Sequence, residues 1–293
     1  MASLKEVKDR ISSVNSTMKI TSAMKMIASA KLHKSQAAIS SFLPYSVKLN
    51  QMLTNLLASE KSIVSDFSVV RDVKKVAIVV FSSNSSLCGS FNANIIREFH
   101  NTYSEYEKRI GSENILIYPI GKKMEDSAIK LKIKTQGSFQ NLADKPSFQP
   151  ISELAKELVD KFLSHEVDQI ILIYTHFKSA GVQIVTKSVY LPFNLDIQSE
   201  TEDKNKSVLL DYILEPSKEE LLSHLIPKVL TSNLFSALLD SNASENAARS
   251  MAMQIATDNA QDLVQELKIE YNKNRQAAIT NQLLDIIGGA AAL

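Results

Sequence analysis

The residues that could do chemistry are few. A polar turn, residues 82–90, follows a strand-like run and precedes a helical one, which is where doubly wound folds bind phosphates. The turn holds one glycine, Gly89, and lacks both glycine-rich phosphate-binding signatures. Its cysteine, Cys88, would need a neighbouring base or cation to act as a nucleophile, and the sequence identifies neither. A structural turn with an inert cysteine is therefore favoured over a nucleotide site.

The five histidines do not form a metal-binding pattern. They are His33, His100, His165, His176 and His224. No two of them are spaced i, i+4, and the chain has no H-E-x-x-H motif. Adjacent carboxylates such as Glu219 and Glu220 are explained as exposed helix charges. We therefore expect no catalytic residue, no metal and no cofactor.

Composition sets the broad class of the protein. The chain has 293 residues, is 44% hydrophobic and carries a formal net charge of +1, which fits folded material and disfavours wholesale nucleic-acid binding. One cysteine excludes an internal disulfide framework and fits a reducing compartment. Neither a membrane span of about 18 apolar residues nor a signal peptide is expected.

Two long segments, one at each end, lack glycine and proline. They are residues 1–43 and 228–287. A helix of about 60 residues would be about 90 Å long at ~1.5 Å per residue. An average helix in a globular protein has only about 11–12 residues, so a normal core cannot support this one. We therefore expect the two ends to pair as an antiparallel coiled coil around a globular insert.

The first helix carries a narrow apolar stripe with heptad spacing. Its start is marked by a capping box, Ser3 to Glu6. The stripe consists of Leu4, Val7, Ile11, Val14, Met18, Thr21, Ala28, Leu32, Ile39 and Phe42. Lys25 and Ser35 occupy seam positions and weaken the seam there, and Pro44 allows an end or a kink. Met24 and Met26 are assigned mainly to packing.

The second helix has its own markers. A capping box begins at Ser217, and Pro227 should kink or restart the helix. Small side chains are frequent in residues 236–252, and they let another helix backbone come close. Gly288 and Gly289 can terminate the helix.

The middle of the chain alternates between strands and helices. Residues 76–81, 115–118 and 169–174 are apolar runs typical of strands buried on both faces, 181–193 alternates like a strand, and 208–214 could be an edge strand. Helical patterns cover residues 91–109, 122–130 and 151–163, and 201–207 is a polar loop. This order implies right-handed crossovers and a mostly parallel sheet. The predicted fold is α/β: a long antiparallel coiled coil of N- and C-terminal helices (1–60 and 217–293) plus a central Rossmann-like α/β domain (73–214).

Motifs at both ends resemble those of the gamma subunits of bacterial F-type ATP synthases, the central rotor stalk. At the N-terminus they are Lys19-Ile20-Thr21 and Ala23-Met24-Lys25-Met26-Ile27-Ala28. At the C-terminus they are Ser244-Glu245, Ala247-Ala248-Arg249, Tyr271-Asn272-Lys273 and Arg275-Gln276-Ala277-Ala278-Ile279-Thr280. In the insert, Leu87-Cys88-Gly89 and Phe91-Asn92 resemble the family's central turn. A double match at opposite ends of one chain is specific.

Some positions depart from the family pattern. In the turn, Asn84-Ser85-Ser86 replaces the usual acidic, basic and glycine residues before Leu87-Cys88-Gly89, and Ser90 replaces a glycine. Ser250 and Gln282 also differ. These changes affect the polar contacts of the turn and the shaft. The cysteine pair of the chloroplast redox switch is absent from the sequence, so no thiol regulation is expected.

The resemblance implies a non-catalytic subunit that transmits rotation. A stiff two-helix shaft would turn inside a ring of alpha and beta subunits, with its foot on the membrane c-ring beside the epsilon subunit. Rotation would couple proton or sodium flow to ATP synthesis or hydrolysis. The location implied is the cytoplasmic face of the bacterial inner membrane, as a peripheral protein that binds no nucleic acid.

The resemblance also implies partner contacts, by matching positions. Met24 and Lys25 would face the moving lever of the beta subunits. Arg249, Gln276 and Thr280 would contact the alpha/beta ring. The apolar tip in its bearing would consist of Ile279, Leu283, Ile286, Ile287 and Leu293. Two alternatives stay open: a static coiled-coil scaffold, and an α/β enzyme whose helical arms make a dimer.

Overall fold

The computed structural model of the chain describes residues 3–58, 67, 69, 71–193 and 217–291. The chain divides into two compact units, each with its own contacts. The first unit consists of Met1–Ser29 and Arg249–Leu293, and the second of Ala30–Ala248. The boundary between the units therefore falls inside both terminal helices. The division expected from the sequence, 1–60, 73–214 and 217–293, follows secondary structure instead and stays a prediction.

Two terminal helices dominate the secondary structure. They are α1, Leu4–Ala58, and α6, Lys218–Ala291. The shorter helices are α2 (Phe91–Ile110), α3 (Lys122–Lys130), α4 (Gln140–Asp144) and α5 (Phe148–Leu163), with a turn of 3₁₀ helix at Ser112–Asn114. The strands are β1 (Val76–Phe81), β2 (Ile115–Ile120), β3 (Gln169–Ser179) and β4 (Val182–Leu191). All the predicted helices are present, whereas α4 was not predicted.

The N-terminal cap of α1 confirms the predicted capping box at Ser3, and that of α6 confirms the predicted role of Ser217 as the cap. Ser3 N–H donates to Glu6 Oε2 at 2.8 Å, and Glu6 N–H donates to Ser3 Oγ at 3.2 Å. Glu220 N–H likewise donates to Ser217 Oγ at 3.3 Å. Each of these bonds satisfies a backbone donor that the first helical turn leaves without a partner.

Three positions that could have ended a helix lie inside helices. Helix α1 does not end at Pro44, and α6 does not restart at Pro227, so a kink at either proline stays a prediction. Helix α6 also continues through Gly288 and Gly289. A proline removes one backbone hydrogen bond, and here each helix buries apolar side chains just beyond its proline. The buried side chains are Leu49, Leu53 and Leu56 in α1 and Val229 and Leu230 in α6.

The sheet is mostly parallel, as predicted. Its strand order is β2-β1-β3-β4. β1 runs parallel to β2 and β3, with Val76 beside Ile115 and Gln169, and β4 is antiparallel to β3. β1 is fully buried because it lies between two strands and under helices on both faces. The predicted edge strand 208–214 and loop 201–207 lie outside the described residues.

Helices cover both faces of the sheet, which is the Rossmann-like arrangement expected. On one face, α2 and α3 pack on Val76, Ile78 and Val80. On the other face, α5 and the inner parts of α1 and α6 pack on Ala77, Val79 and Phe81. The alternation of β1 side chains between two apolar layers explains why its sequence is apolar throughout.

Candidate functional site

The first unit is a pair of antiparallel helices formed by the two ends of the chain. Thr21 Oγ1 in α1 and Thr257 Oγ1 in α6 are 2.8 Å apart, and either hydroxyl can donate. Nearer the N-terminus of α1, Arg10 and Val14 share a groove with Leu263 and Leu267 of α6. Residue numbers therefore rise along one helix as they fall along the other. This confirms the predicted antiparallel pairing.

The seam of this pair is apolar, as the heptad stripe predicted. Its buried side chains are Val7, Ala28, Met253, Ala260, Val264 and Leu267. The threonine pair is a polar contact within this stripe. Because a hydrogen bond is directional and apolar contacts are not, this bond favours the observed register of the two helices over shifted registers.

The residues expected to contact partners lie in two groups within the first unit. Met24, Lys25 and Arg249 are half-buried on the paired part of the helices. Gln276 and Thr280 are exposed on α6. Ile279, Leu283, Ile286 and Ile287 are also on α6 and are 49–67% exposed. Leu293 lies outside the described residues.

The first of these groups lies where α1 pairs with α6, and the second lies where α6 has no partner helix. Because Thr21 lies across from Thr257, the register brings Leu4 across from Asn274. Helix α6 therefore extends past the start of α1, and its residues from Gln276 to Ile287 lie beyond this pairing. The apolar side chains of this segment are left at the surface.

A set of exposed apolar side chains lies on the paired helices and was not predicted from the sequence. Met26, which was assigned to packing, is 65% exposed, so that assignment is wrong. The other exposed members are Ile20, Ile27, Met251 and Ile255. The sequence did carry a signal for this set: each member is an apolar residue outside the heptad seam. A two-helix pair cannot bury such a residue, which therefore stays at the surface.

In the second unit, α1 and α6 meet through small and polar side chains. Ser35, a predicted weak point of the seam, is buried and donates its Oγ hydrogen to Asn242 Oδ1 at 2.7 Å. Leu32 packs against Ala243 and Ala247, which confirms that small residues permit close approach. Ser35 is therefore held by a specific hydrogen bond, which the pattern of one helix alone could not reveal.

Helix α6 also contacts strand β3 within the second unit. Ser244 Oγ donates to Thr175 O at 3.0 Å, and both residues are buried. His176 Nδ1 lies 2.7 Å from Asp240 Oδ2. Burial raises the pKa of the Asp240 carboxyl, and the hydrogen bond and the charge of His176 oppose that rise.

Asp240→Asn should change how stability depends on pH. Burial penalises the charged carboxylate in the folded chain, so the natural protein bears this cost fully above the raised pKa. The cost disappears as pH falls through that pKa toward the usual aspartate range, because the folded state then binds a proton more tightly than the unfolded state. The natural chain should thus gain stability relative to the variant on acidification, measured by urea unfolding across that range.

A His176→Gln background isolates the carboxyl in this comparison. His176 is the hydrogen-bond partner of Asp240 and opposes the rise of its pKa, so replacing His176 leaves burial as the cause of that rise. If the variant and the parent keep a constant stability difference as pH falls in that background, the assignment of the raised pKa to Asp240 is wrong.

The polar turn between β1 and α2 is held by side chains that differ from the family pattern. Asn84 Nδ2 donates to Gln140 O at 2.8 Å, and Asn84 Oδ1 accepts from Lys122 N–H at 2.9 Å. One amide thus joins the turn to the starts of α3 and α4. Asn84 therefore holds the turn in place, although its residue type differs from the family pattern.

Cys88 is buried in this turn, with 2% of its surface exposed. Asn92 Nδ2 donates to its Sγ at 3.1 Å, and Ser83 Oγ lies 3.8 Å away. Ser83 and Asn92 also hydrogen-bond to each other. The thiol is therefore part of a local network of amide and hydroxyl groups that orders the turn.

In the part of the chain that the structure describes, no group of three or more His, Cys, Asp or Glu residues is placed to share a metal ion. Within the same ranges, none of the helices combines the length and the apolar character that a bilayer crossing requires.

Comparison with known proteins gives consistent results. The sequence model of a family described as ATP synthase matches residues 3–293. The ATP synthase gamma chains of Bacteroides fragilis (strain ATCC 25285) and Phocaeicola vulgatus are 58% and 56% identical to this chain over 292 residues, which is 100% of each chain.

Solved structures show the same fold. A chain of the Euglena gracilis mitochondrial ATP synthase in the structure titled OSCP/F1/c-ring, rotational state 3, gives a TM-score of 0.66 at 20% identity, covering 99% of this chain and 94% of that one. A chain of the rotor of the same enzyme, rotational state 1, gives 0.63 at 19% identity, covering 94% and 98%.

The match over the whole chain and the full-length relatives lead to one assignment. The motifs at both ends lie on the paired helices, and the motif of the central turn lies between β1 and α2. On this sequence match, the chain belongs to the ATP synthase gamma-chain family.

Proposed function

We propose that this chain is the central rotor shaft of an F-type ATP synthase. By rotating, it couples proton or sodium flow through the membrane c-ring to ATP synthesis or hydrolysis at the alpha/beta hexamer. The observation that carries this proposal is the antiparallel pairing of the two chain ends, with Thr21 and Thr257 in hydrogen-bond contact. Two helices joined along a seam resist twisting better than one helix, and a shaft that transmits torque must resist twisting.

The outer surface of the pair supports a sliding contact. Exposed apolar side chains, including Ile20, Met26 and Ile255, give this surface a non-directional character. Such contacts do not fix one angle as a set of hydrogen bonds would. A surface that differs from side to side can bias each catalytic site in turn, because it contacts the open and closed states differently.

The contacts inferred by family resemblance form part of this proposal. Met24 and Lys25 face the lever of the beta subunits, and Arg249, Gln276 and Thr280 contact the alpha/beta ring. The apolar tip in the bearing consists of Ile279, Leu283, Ile286, Ile287 and Leu293. The exposure of the four described tip residues supports this part.

The remaining partners follow from the same role. The foot of the shaft rests on the c-ring beside the epsilon subunit, at the cytoplasmic face of the inner membrane. The chain itself is not an enzyme; the assembled complex is the proton-transporting ATPase. Purified alone, the chain should not hydrolyse ATP. A turnover that Cys88 alkylation abolishes, or a nucleotide bound at residues 82–90, would favour the alternative of an α/β enzyme.

Locking the shaft to its surroundings tests rotation. Met26→Cys, near Met24, should be paired with a cysteine series on the beta-subunit lever in the reconstituted complex. Cys88 is buried, so the new thiol is the reactive one on this chain. Oxidation should stop ATP hydrolysis, and reduction should restore it, because a shaft bound to the static ring cannot turn.

A disulfide within the shaft provides the matched control. Thr21→Cys with Thr257→Cys links two parts that move together, so its oxidation should leave hydrolysis unchanged. A static scaffold would keep its activity with either crosslink. If the Met26 crosslink forms and turnover continues, the rotor proposal is wrong.

A further inference from the structure

We propose that the segment at the C-terminal end of helix α3, residues 129–134, binds anionic phospholipid headgroups. We call this segment the lysine tip. Its sequence is Ile-Lys-Leu-Lys-Ile-Lys, with no acidic residue. In this contact Ile129 and Leu131 enter the interfacial layer of the bilayer, and the lysines face the lipid phosphates.

The exposure of the lysine tip fits such a contact. Ile129 is 63% exposed and Leu131 is 45% exposed, although both are large apolar residues. Lys130, Lys132 and Lys134 are exposed beside them. Within the segment only Ile133 turns inward, where it packs against the core under α2 and α3. The tip therefore presents aliphatic and cationic groups on one short stretch of chain.

Lys132 has a backbone conformation that residues with a side chain disfavour. Ile133 N–H donates to Ala128 O and Lys132 N–H to Ile129 O, both at 3.0 Å, which closes the end of α3. Lys132 has φ +59°, at the position of a helix end where glycine usually stands. A side chain held in this region at a cost in stability points to a function for that side chain.

Chemistry favours a lipid surface over a protein partner. Lysine is depleted in protein–protein interfaces, whereas clusters of lysines with aliphatic neighbours are typical of binding to anionic membranes. Glu125, one turn before the tip, already accepts hydrogen bonds from Ser138 Oγ and Gln140 Nε2. Its carboxylate is therefore engaged within the protein.

The inference rests on the proposed function only for the presence of a membrane nearby in the cell. Contacts with fluid headgroups would not fix one rotational angle, since lipids exchange places. Binding to vesicles can be measured on the full chain alone. Its failure is therefore distinguishable from a failure of the rotor proposal, which needs the assembled complex.

A tryptophan reporter tests the contact. The chain has no tryptophan, so Leu131→Trp gives a single emission signal from the full-length protein. With vesicles of equal parts phosphatidylglycerol and phosphatidylcholine, the emission should shift to the blue, and brominated acyl chains should quench it. Vesicles of phosphatidylcholine alone should produce neither change, and high salt should reverse both.

Variants that remove the lysine charges measure how much these charges contribute to vesicle binding. Replacing Lys130, Lys132 and Lys134 by Gln should weaken partition by about 100-fold, since each lysine near an anionic surface contributes roughly fivefold. The same change at Lys74, Lys108 and Lys178, three exposed lysines elsewhere, is the control and should have little effect. Lys132→Gly should bind more weakly while melting at a higher temperature.

Three outcomes would overturn the inference. The reporter emission could stay unchanged with anionic vesicles, or the control triple variant could lose as much binding as the tip variant. The third is a blue shift with an acidic polypeptide such as polyglutamate but not with vesicles, which would assign the tip to an acidic protein partner instead.

Discussion

A chain carrying Thr21→Cys and Thr257→Cys should form a disulfide on mild oxidation and unfold at a higher temperature than its reduced form. The two hydroxyl oxygens are 2.8 Å apart, so the side chains already point at each other as a disulfide requires. The bond would join the two ends of the chain and close a very long loop. Such a crosslink typically stabilises by about 2–4 kcal/mol, mainly by restricting the unfolded chain.

The measurements are a thiol titration, mobility without reductant and thermal unfolding. Cys88 is buried, so the native reduced variant should titrate two thiols and the oxidised one none. A pair out of register, Ser12→Cys with Thr257→Cys, is the control, because Ser12 is exposed and lies more than two helical turns from Thr21. Equal crosslinking of both pairs, or none in the matched pair, would contradict the described seam.

Gly121→Ala should destabilise the second unit by about 3 kcal/mol or more, because an unfavourable backbone conformation and a steric clash combine at this position. Gly121 has φ +103°, a conformation that side chains disfavour. An added Cβ would also lie 2.2 Å from the carbonyl oxygen of Ser82 and 2.7 Å from its carbonyl carbon. These are backbone atoms at the end of β1, and Ser82 N–H is bonded to Ile120 O at 2.7 Å, so they cannot move freely.

Gly111→Ala separates the conformational effect from the steric clash. Gly111 also has a positive φ, +82°, but a Cβ there would meet nothing within 4 Å. This variant should therefore lose only the conformational part, about 1–2 kcal/mol. Urea unfolding of both variants measures the difference. If they lose equal stability, the close approach of Gly121 to Ser82 does not constrain the fold.

Much of the fold could be predicted from local pattern. The seam residues recur with the heptad, and the apolar runs at β1 and β3 mark strands buried on both faces. The continuation of the helices through Pro44 and Pro227 could not be predicted, because burial of later side chains outweighs the local signal of a proline. The Ser35–Asn242 bond also lay beyond reach, because it joins residues 207 positions apart.

The candidate site was only partly predictable. The family resemblance supplied Met24, Lys25 and Arg249 as partner contacts, and their roles stay predictions. The exposed set around Met26 and Ile255 was missed, because seam positions were counted while apolar residues outside the seam were not. Finding that set required knowing which face of each helix the partner helix covers.

The projection of α6 past the start of α1 has a consequence for how the protein is made. From Gln276 to Ile287 the helix carries exposed isoleucines and leucines beyond the pairing with α1. Exposed apolar side chains on an unpaired stretch of helix attract those of other copies of the chain. A newly synthesised chain is therefore prone to aggregate through this segment until another surface covers it.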